Sequence, residues 1–304
     1  MTQQQRAALD ARFRQPHPAE PPTLDELRTG FAALMATMQV PGDVRTSPTR
    51  LAERPALRVE PERGGRAGTI LYFHGGSYVV GSPTTALTLT ANLVARTGVT
   101  ALSLDYRLAP EHPYPAGPDD ALAAYRALLD DGVDPATIVL AGDSAGGGLS
   151  VTTCLGARRA GLPMPAAVVA FSAGLDLTRS GRSMETRAAL DPFFTRAGFD
   201  QTAALYLAGQ DPATEMLSPA TLADLTGFPP LLLQVGTNEM LLDDSTRLAA
   251  RAVDAGVDVT LDVTAGVPHV FQAFTGLLDE ADQALDRAAL FIGQHLPAPQ
   301  GDRG

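Results

Sequence analysis

From about residue 67 to residue 295, short apolar runs alternate with stretches of helical period. This alternation constrains the chain more than any other feature. The apolar runs lie at 68–73, 99–105, 137–141, 166–171, 231–236 and 257–263. Helical patterns fall at 84–97, 119–130, about 147–155, about 243–255 and about 276–295; in the second, Ala121, Leu122, Tyr125, Leu128 and Leu129 share a face. Strands that are apolar on both faces and separated by helices require a mostly parallel sheet covered on each side. In such sheets ligands sit at the carboxyl ends of the strands, so chemistry is expected in the loops there.

Two segments break the alternation. Residues 1–45 carry Leu24, Leu27, Phe31, Leu34 and Met35 at helical spacing, and residues 182–215 carry Phe193, Phe194, Phe199, Leu205 and Tyr206. Both are expected to form a helical cap over the sheet's loop face, within a single domain spanning 1–304.

The 137–141 run leads into Gly142-Asp143-Ser144-Ala145-Gly146, and a helical pattern follows. A strand, a tight Gly-x-Ser-x-Gly turn and a helix together form the setting of a nucleophilic serine lifted out of the core by a strained turn. A serine hydroxyl needs a base, a group that orients the base, and donors for the oxyanion. Of the five histidines, His269 lies in a Gly/Pro loop after the last strand and suits the base. His17 and His295 read as surface residues, and His112 as a packing residue in a Pro-rich loop. His74, just before Gly75-Gly76, reads as a brace for that loop.

The orienting acid is expected after the strand ending at Gly236, where Glu239, Asp243 and Asp244 compete. Glu239 is nearest the strand end and is favoured. Asp243 and Asp244 suit the start of the next helix, where carboxylates cap free N–H groups, and Asp243 stays open as the alternative acid. Gly75 and Gly76, free of Cβ atoms, and the backbone N–H of Ala145 are the expected oxyanion donors. Tyr78 and Asp143 are candidate substrate contacts.

Composition narrows the partners. The net charge of −11 lacks the basic surface that nucleic acid or an anionic membrane requires, so neither is expected. Cys154 is the single cysteine and reads as a buried structural thiol. No histidines pair at metal-ligand spacing, so no metal is expected. The residues Met1–Arg6 lack the apolar stretch of a signal peptide, and no apolar run is long enough to span a bilayer, which predicts a cytoplasmic protein.

Three ordered motifs then carry a resemblance: His74-Gly75-Gly76, the segment Asp105–Ala116 (Asp-Tyr-Arg-Leu-Ala-Pro-Glu-His-Pro-Tyr-Pro-Ala), and Gly142–Gly147. Over about residues 67–295 the chain resembles the bacterial hormone-sensitive-lipase family of α/β-hydrolase esterases. The resemblance implies Ser144 as nucleophile, His269 as base, Glu239 at a position where most members carry Asp, and Gly75 and Gly76 in the oxyanion hole. It implies hydrolysis of short-chain carboxylic esters without a cofactor, an Asp–Arg pair bracing the loop within Asp105–Ala116, and a homodimer paired through the last strand. The same groups would equally serve a lactone hydrolase, an N-acetyl hydrolase or an amidase. A non-catalytic small-molecule receptor is a further alternative, disfavoured because every catalytic group remains.

Overall fold

Alternate side chains of each central strand go to opposite sides of the sheet, and that division builds the architecture. The computed structural model describes residues 2–14 and 22–298. Its strands are β1 (Val44–Leu51), β2 (Arg54–Pro61), β3 (Arg66–Phe73), β4 (Val99–Leu104), β5 (Ile138–Asp143), β6 (Ala167–Phe171), β7 (Leu231–Gly236) and β8 (Val259–Thr264). They form one eight-stranded sheet in the order β1-β2-β4-β3-β5-β6-β7-β8. From β4 to β8 all neighbours are parallel, while β2 pairs antiparallel with both β1 and β4.

The helices are α1 (Thr2–Phe13), α2 (Leu24–Met35), α3 (Leu87–Thr97), α4 (Ala116–Asp130), α5 (Ala145–Arg159), α6 (Ser183–Thr186), α7 (Arg196–Leu207), α8 (Pro219–Leu222), α9 (Leu242–Asp254) and α10 (Asp279–His295). Leu71, Phe73, Leu140, Val168 and Leu233 pack with Tyr125 of α4, Leu155 of α5 and Leu248 of α9. Ile70, Tyr72, Val139, Val169 and Leu232 pack on the other face with Leu89 of α3 and Leu285 of α10. Burial of these apolar surfaces, at about 25 cal/mol per Å², is the main term holding the layers together. Cys154 lies buried within α5, as expected.

The hairpin β1–β2 is absent from the sequence reading. Its turn is Ala52-Glu53, and both residues have positive φ (45° and 67°). Such two-residue turns are normally signalled by Asn-Gly or Asp-Gly. β1 is also largely polar, contains Pro48, and buries only Leu51. Proline is tolerated there because β1 is an edge strand.

The two segments outside the alternation are helical where described. Thr23 and Glu26 form a reciprocal capping box that starts α2. Along α2, Leu24, Leu27 and Phe31 pack with Val79, Val80, Tyr206 and Leu217, while Leu34 and Met35 pack with Leu9 and Phe271. Arg28 of α2 holds Glu111 through both carboxylate oxygens, 2.7 Å each, and also donates to Val79 O and Ala109 O. No helix among the described residues is long and apolar enough to cross a membrane.

Candidate active site

Four loops at the carboxyl ends of β3, β5, β7 and β8 carry the candidate residues. Ser144 follows β5 at φ 53°, ψ −119°, a conformation that non-glycine residues rarely adopt. The turn closes against the end of β3: a Cβ on Gly146 would lie 1.9 Å from Phe73 O. Glycine at 146 is therefore required by close approach. Ser144 sits at the N-cap of α5, and no side chain caps the helix. The N–H groups of the first turn, with the positive end of the helix dipole, are left facing the site.

His269 follows β8, and its Nδ1 lies 2.7 Å from Glu239 Oε2. Glu239 is fully buried; its Oε1 accepts from Gly236 N at 2.6 Å and Ser172 Oγ at 2.9 Å. These bonds fix the carboxylate and leave Oε2 for the imidazole. His269 Nε2 is buried and bonded to no described residue. Burial disfavours the imidazolium, but the hydrogen bond and charge of Glu239, with the charges of Asp191 and Asp143, outweigh it and raise the His269 pKa above its ordinary value.

Asp243 is not in this group. Its Oδ2 accepts from Ser183 N at 3.0 Å. Asp244 Oδ2 accepts from Leu175 N and Asp176 N at 2.7 and 2.9 Å. Both stand in the first turn of α9, as expected of capping residues, yet their carboxylates stitch neighbouring loops to α9 instead of capping it.

The loop after β3 departs from expectation at Gly75. Asp143 receives the phenol of Tyr72 at 2.8 Å on Oδ1, and its Oδ2 lies against Gly75, whose backbone N–H bonds it. Gly75 is thus engaged by the protein, and Asp143 is a buried brace of this loop. Burial raises the Asp143 pKa to about 6 despite those bonds. Beyond it, Gly76 has φ 119° and a Cβ there would lie 2.2 Å from Val80 O; Ser77 and Tyr78 follow at φ 53° and 64°. His74 Nδ1 bonds Gly75 O at 2.8 Å, and its ring stacks on Tyr106 at 4.2 Å. Burial lowers its pKa to about 4, so it braces the loop as a neutral ring.

A small cleft opens over Ser144. Ser77, Tyr78, Ala145, Arg179, Phe199 and Tyr206 are among its lining residues. Tyr78, expected at the pocket, stacks on Tyr206 of α7 at 3.9 Å. Helix α7 thereby lines the cavity with Phe199, Thr202, Ala203 and Tyr206.

Three further residues escape sequence reasoning. Ser172, just past β6 at φ 47°, donates to Glu239 and accepts from Val270 N at 2.9 Å, so it ties the acid to the base loop. Its position at a strand's carboxyl end was the available signal. Asp191, buried between α6 and α7, accepts from Phe193 N, Phe194 N and Met240 N at 2.9, 3.1 and 2.9 Å. The Phe194 ring then meets the His269 imidazole edge-on at 4.8 Å. Neither Asp191 nor the pocket residue Arg179 carried a motif.

The remaining histidines lie apart. His112 is exposed, and His295 Nδ1 bonds Phe291 O at 2.8 Å within α10. His17 lies outside the described residues. Within Asp105–Ala116 the expected Asp–Arg pair does not form: Arg107 grips Asp120 of α4 instead, with Nη2 2.7 Å from Oδ1. The carboxylate one helical turn into α4 offers a bidentate site, while Asp105 supplies its carbonyl to Arg54. Among the described residues no three His, Cys, Asp or Glu side chains group as a metal would need.

Comparisons with known proteins agree with this architecture. The family described as alpha/beta hydrolase fold matches residues 70–273. An acetyl-hydrolase of Streptomyces hygroscopicus is 43% identical over 254 residues, covering 83% of this chain and 82% of the relative. An esterase of Acinetobacter venetianus is 36% identical over 251 residues, covering 82% of each. A crystal structure of an esterase from the bacterial hormone-sensitive lipase family superposes with a TM-score of 0.92 at 38% identity, covering 97% of this chain and 99% of that one. A serine-bearing elbow, a buried Glu–His pair and a helix-lined cavity, on a sheet shared with these proteins, make the chain a member of the hormone-sensitive-lipase family of bacterial α/β-hydrolases.

Proposed function

We propose that this protein is a serine carboxylesterase acting on esters with small acyl groups through an acyl-enzyme. The observation that carries the reading is His269: Nδ1 is committed to a fixed, buried Glu239, and Nε2 has no hydrogen-bond partner among the described residues. With the Nδ1 proton held by the carboxylate, Nε2 presents a lone pair as base. His269 takes the Ser144 proton as Oγ attacks the ester carbonyl. The oxyanion is met by the N–H groups of Ala145 and Gly76, with Ser77, which borders the cavity, serving in place of Gly75. His269 then protonates the leaving alcohol, and water repeats the sequence on the acyl group.

The name of the Streptomyces relative, acetyl-hydrolase, supports an acetyl-sized acyl group. The packing of α2 and α7 over the site supports a cap formed by residues 1–45 and 182–215 on a single domain. A homodimer paired through β8 belongs to the same proposal, supported by the exposed Leu261 and Val263 on that edge strand, as does a cytoplasmic location. Ser144→Ala is expected to abolish p-nitrophenyl acetate hydrolysis and fluorophosphonate labelling while circular dichroism stays unchanged. Near-wild-type turnover by that variant would overturn the mechanism. Turnover falling from acetate to butyrate to octanoate esters checks the acyl size.

A further inference from the structure

The cavity over Ser144 contains a cation that the mechanism does not use. Arg179 lines it, on the β6-to-α6 connection, together with Ser77, Tyr78, Ser144 and Phe199. Its guanidinium lies over the Phe199 ring, 4.5 Å from the centroid. It forms no hydrogen bond or ion pair with any described residue, and its Nε is buried without a partner. The acids nearest in charge are engaged elsewhere. Asp176 holds Arg247, Thr178 and Ser180; Asp244 holds two backbone N–H groups; Asp200 pairs with Arg196. Arg179 itself stands at φ 55°, a conformation that costs energy in a non-glycine residue.

An arginine keeps its charge under burial and offers five donors in a fixed fork that matches a carboxylate. Arg179 is partly buried, and its Nε is a buried donor without a partner among the described residues; a planar anion entering the cavity would supply the acceptor. The net charge of −11 makes the surroundings unfavourable to an anion in general. A local cation at the nucleophile is therefore what would select one.

We infer that Arg179 is a carboxylate-binding residue of the substrate pocket, and that the preferred substrates are short esters carrying a carboxylate beside the scissile bond. This rests on the esterase reading and names its substrate class. The cation–π contact with Phe199 holds the fork at the wall of the cavity that Ser144 also lines.

The test uses two matched pairs of small esters. Acetoxyacetate against acetoxyacetamide places the charge in the alcohol half, and monomethyl succinate against methyl succinamate places it in the acyl half. The wild-type protein is expected to favour the anionic member of at least one pair by tenfold or more in kcat/KM. Arg179→Gln should reduce that ratio at least tenfold, with Arg179→Lys between, since a charge-assisted hydrogen bond is worth about one to two powers of ten. A wild-type preference for the neutral member of both pairs overturns the inference without any variant. So does an Arg179→Gln protein whose ratio equals that of the wild type. Turnover of p-nitrophenyl acetate with no anion preference removes only this inference, whereas no turnover of any of these esters removes the esterase reading as well.

Discussion

Replacing Glu239 by Gln is the sharpest perturbation of the site, because it changes one charge and almost no volume. Glu239 Oε1 is held by two donors, Gly236 N at 2.6 Å and Ser172 Oγ at 2.9 Å. The glutamine oxygen must stay with them, which turns the amide nitrogen toward His269 Nδ1, 2.7 Å away in the native pair. An amide N–H donating to Nδ1 forces the imidazole proton onto Nε2, and that atom can no longer accept the proton of Ser144. Flipping the amide restores the tautomer but sets its NH₂ against the N–H of Gly236, at a cost of about 1–3 kcal/mol. The competent form is then roughly 1–20% of molecules, and it lacks the carboxylate charge that stabilises the imidazolium. A fall in kcat of about 10³ to 10⁴, or roughly 4–5.5 kcal/mol, follows. Asp243→Asn should cost less than about tenfold, because Asp243 serves only the Ser183 turn. Steady-state hydrolysis of p-nitrophenyl acetate, with circular dichroism as the folding control, measures both. The reasoning is refuted if the glutamine variant keeps more than a tenth of wild-type kcat, or if Asp243→Asn falls further.

The rate should decline on acidification with a midpoint above the ordinary imidazole value, since the hydrogen bond of Glu239 and the charges of Glu239, Asp191 and Asp143 favour the charged form of His269. Asp191→Asn removes one of those charges, so the acid limb should move to lower pH while kcat drops through the loosened Phe194 and Met240 contacts; a limb that stays in place or rises contradicts this. Gly146→Ala should destabilise the fold by about 3 kcal/mol or more, because its methyl would meet the backbone of Phe73 and His74, and an unchanged urea midpoint would refute the close-approach argument. Burial raises the Asp244 pKa to about 7 from an ordinary 3.8, so the folded state binds that proton more tightly than the unfolded chain. The stability this supplies is complete below about pH 4 and is lost as pH rises through 7. The melting temperature of the wild type relative to Asp244→Asn should therefore fall between pH 4 and pH 8, and a gap that widens with pH would count against it.

What the sequence determined by itself was periodic or local. The central strands β3 to β7 announce themselves because a strand covered on both faces is apolar at most positions, and Ile70, Leu71, Tyr72 and Phe73 leave no other reading. Ser144 was legible because the elbow's geometry demands small neighbours at fixed spacing, and Glu239 and His269 because each lies just beyond a strand's carboxyl end. Only the tertiary structure decided the rest. The β1–β2 hairpin has no apolar alternation to reveal it, since one face of an edge ribbon is enough to pack, and its Ala-Glu turn gives no glycine signal. The partner of Arg107, the engagement of Gly75 by Asp143, and the convergence of Asp191, Ser172 and Arg179 on the site all join positions distant in the chain. A side chain's partner across the fold is set by how helices and loops dock on the sheet. That docking depends on the shape and burial of surfaces from many segments at once, which no local pattern encodes.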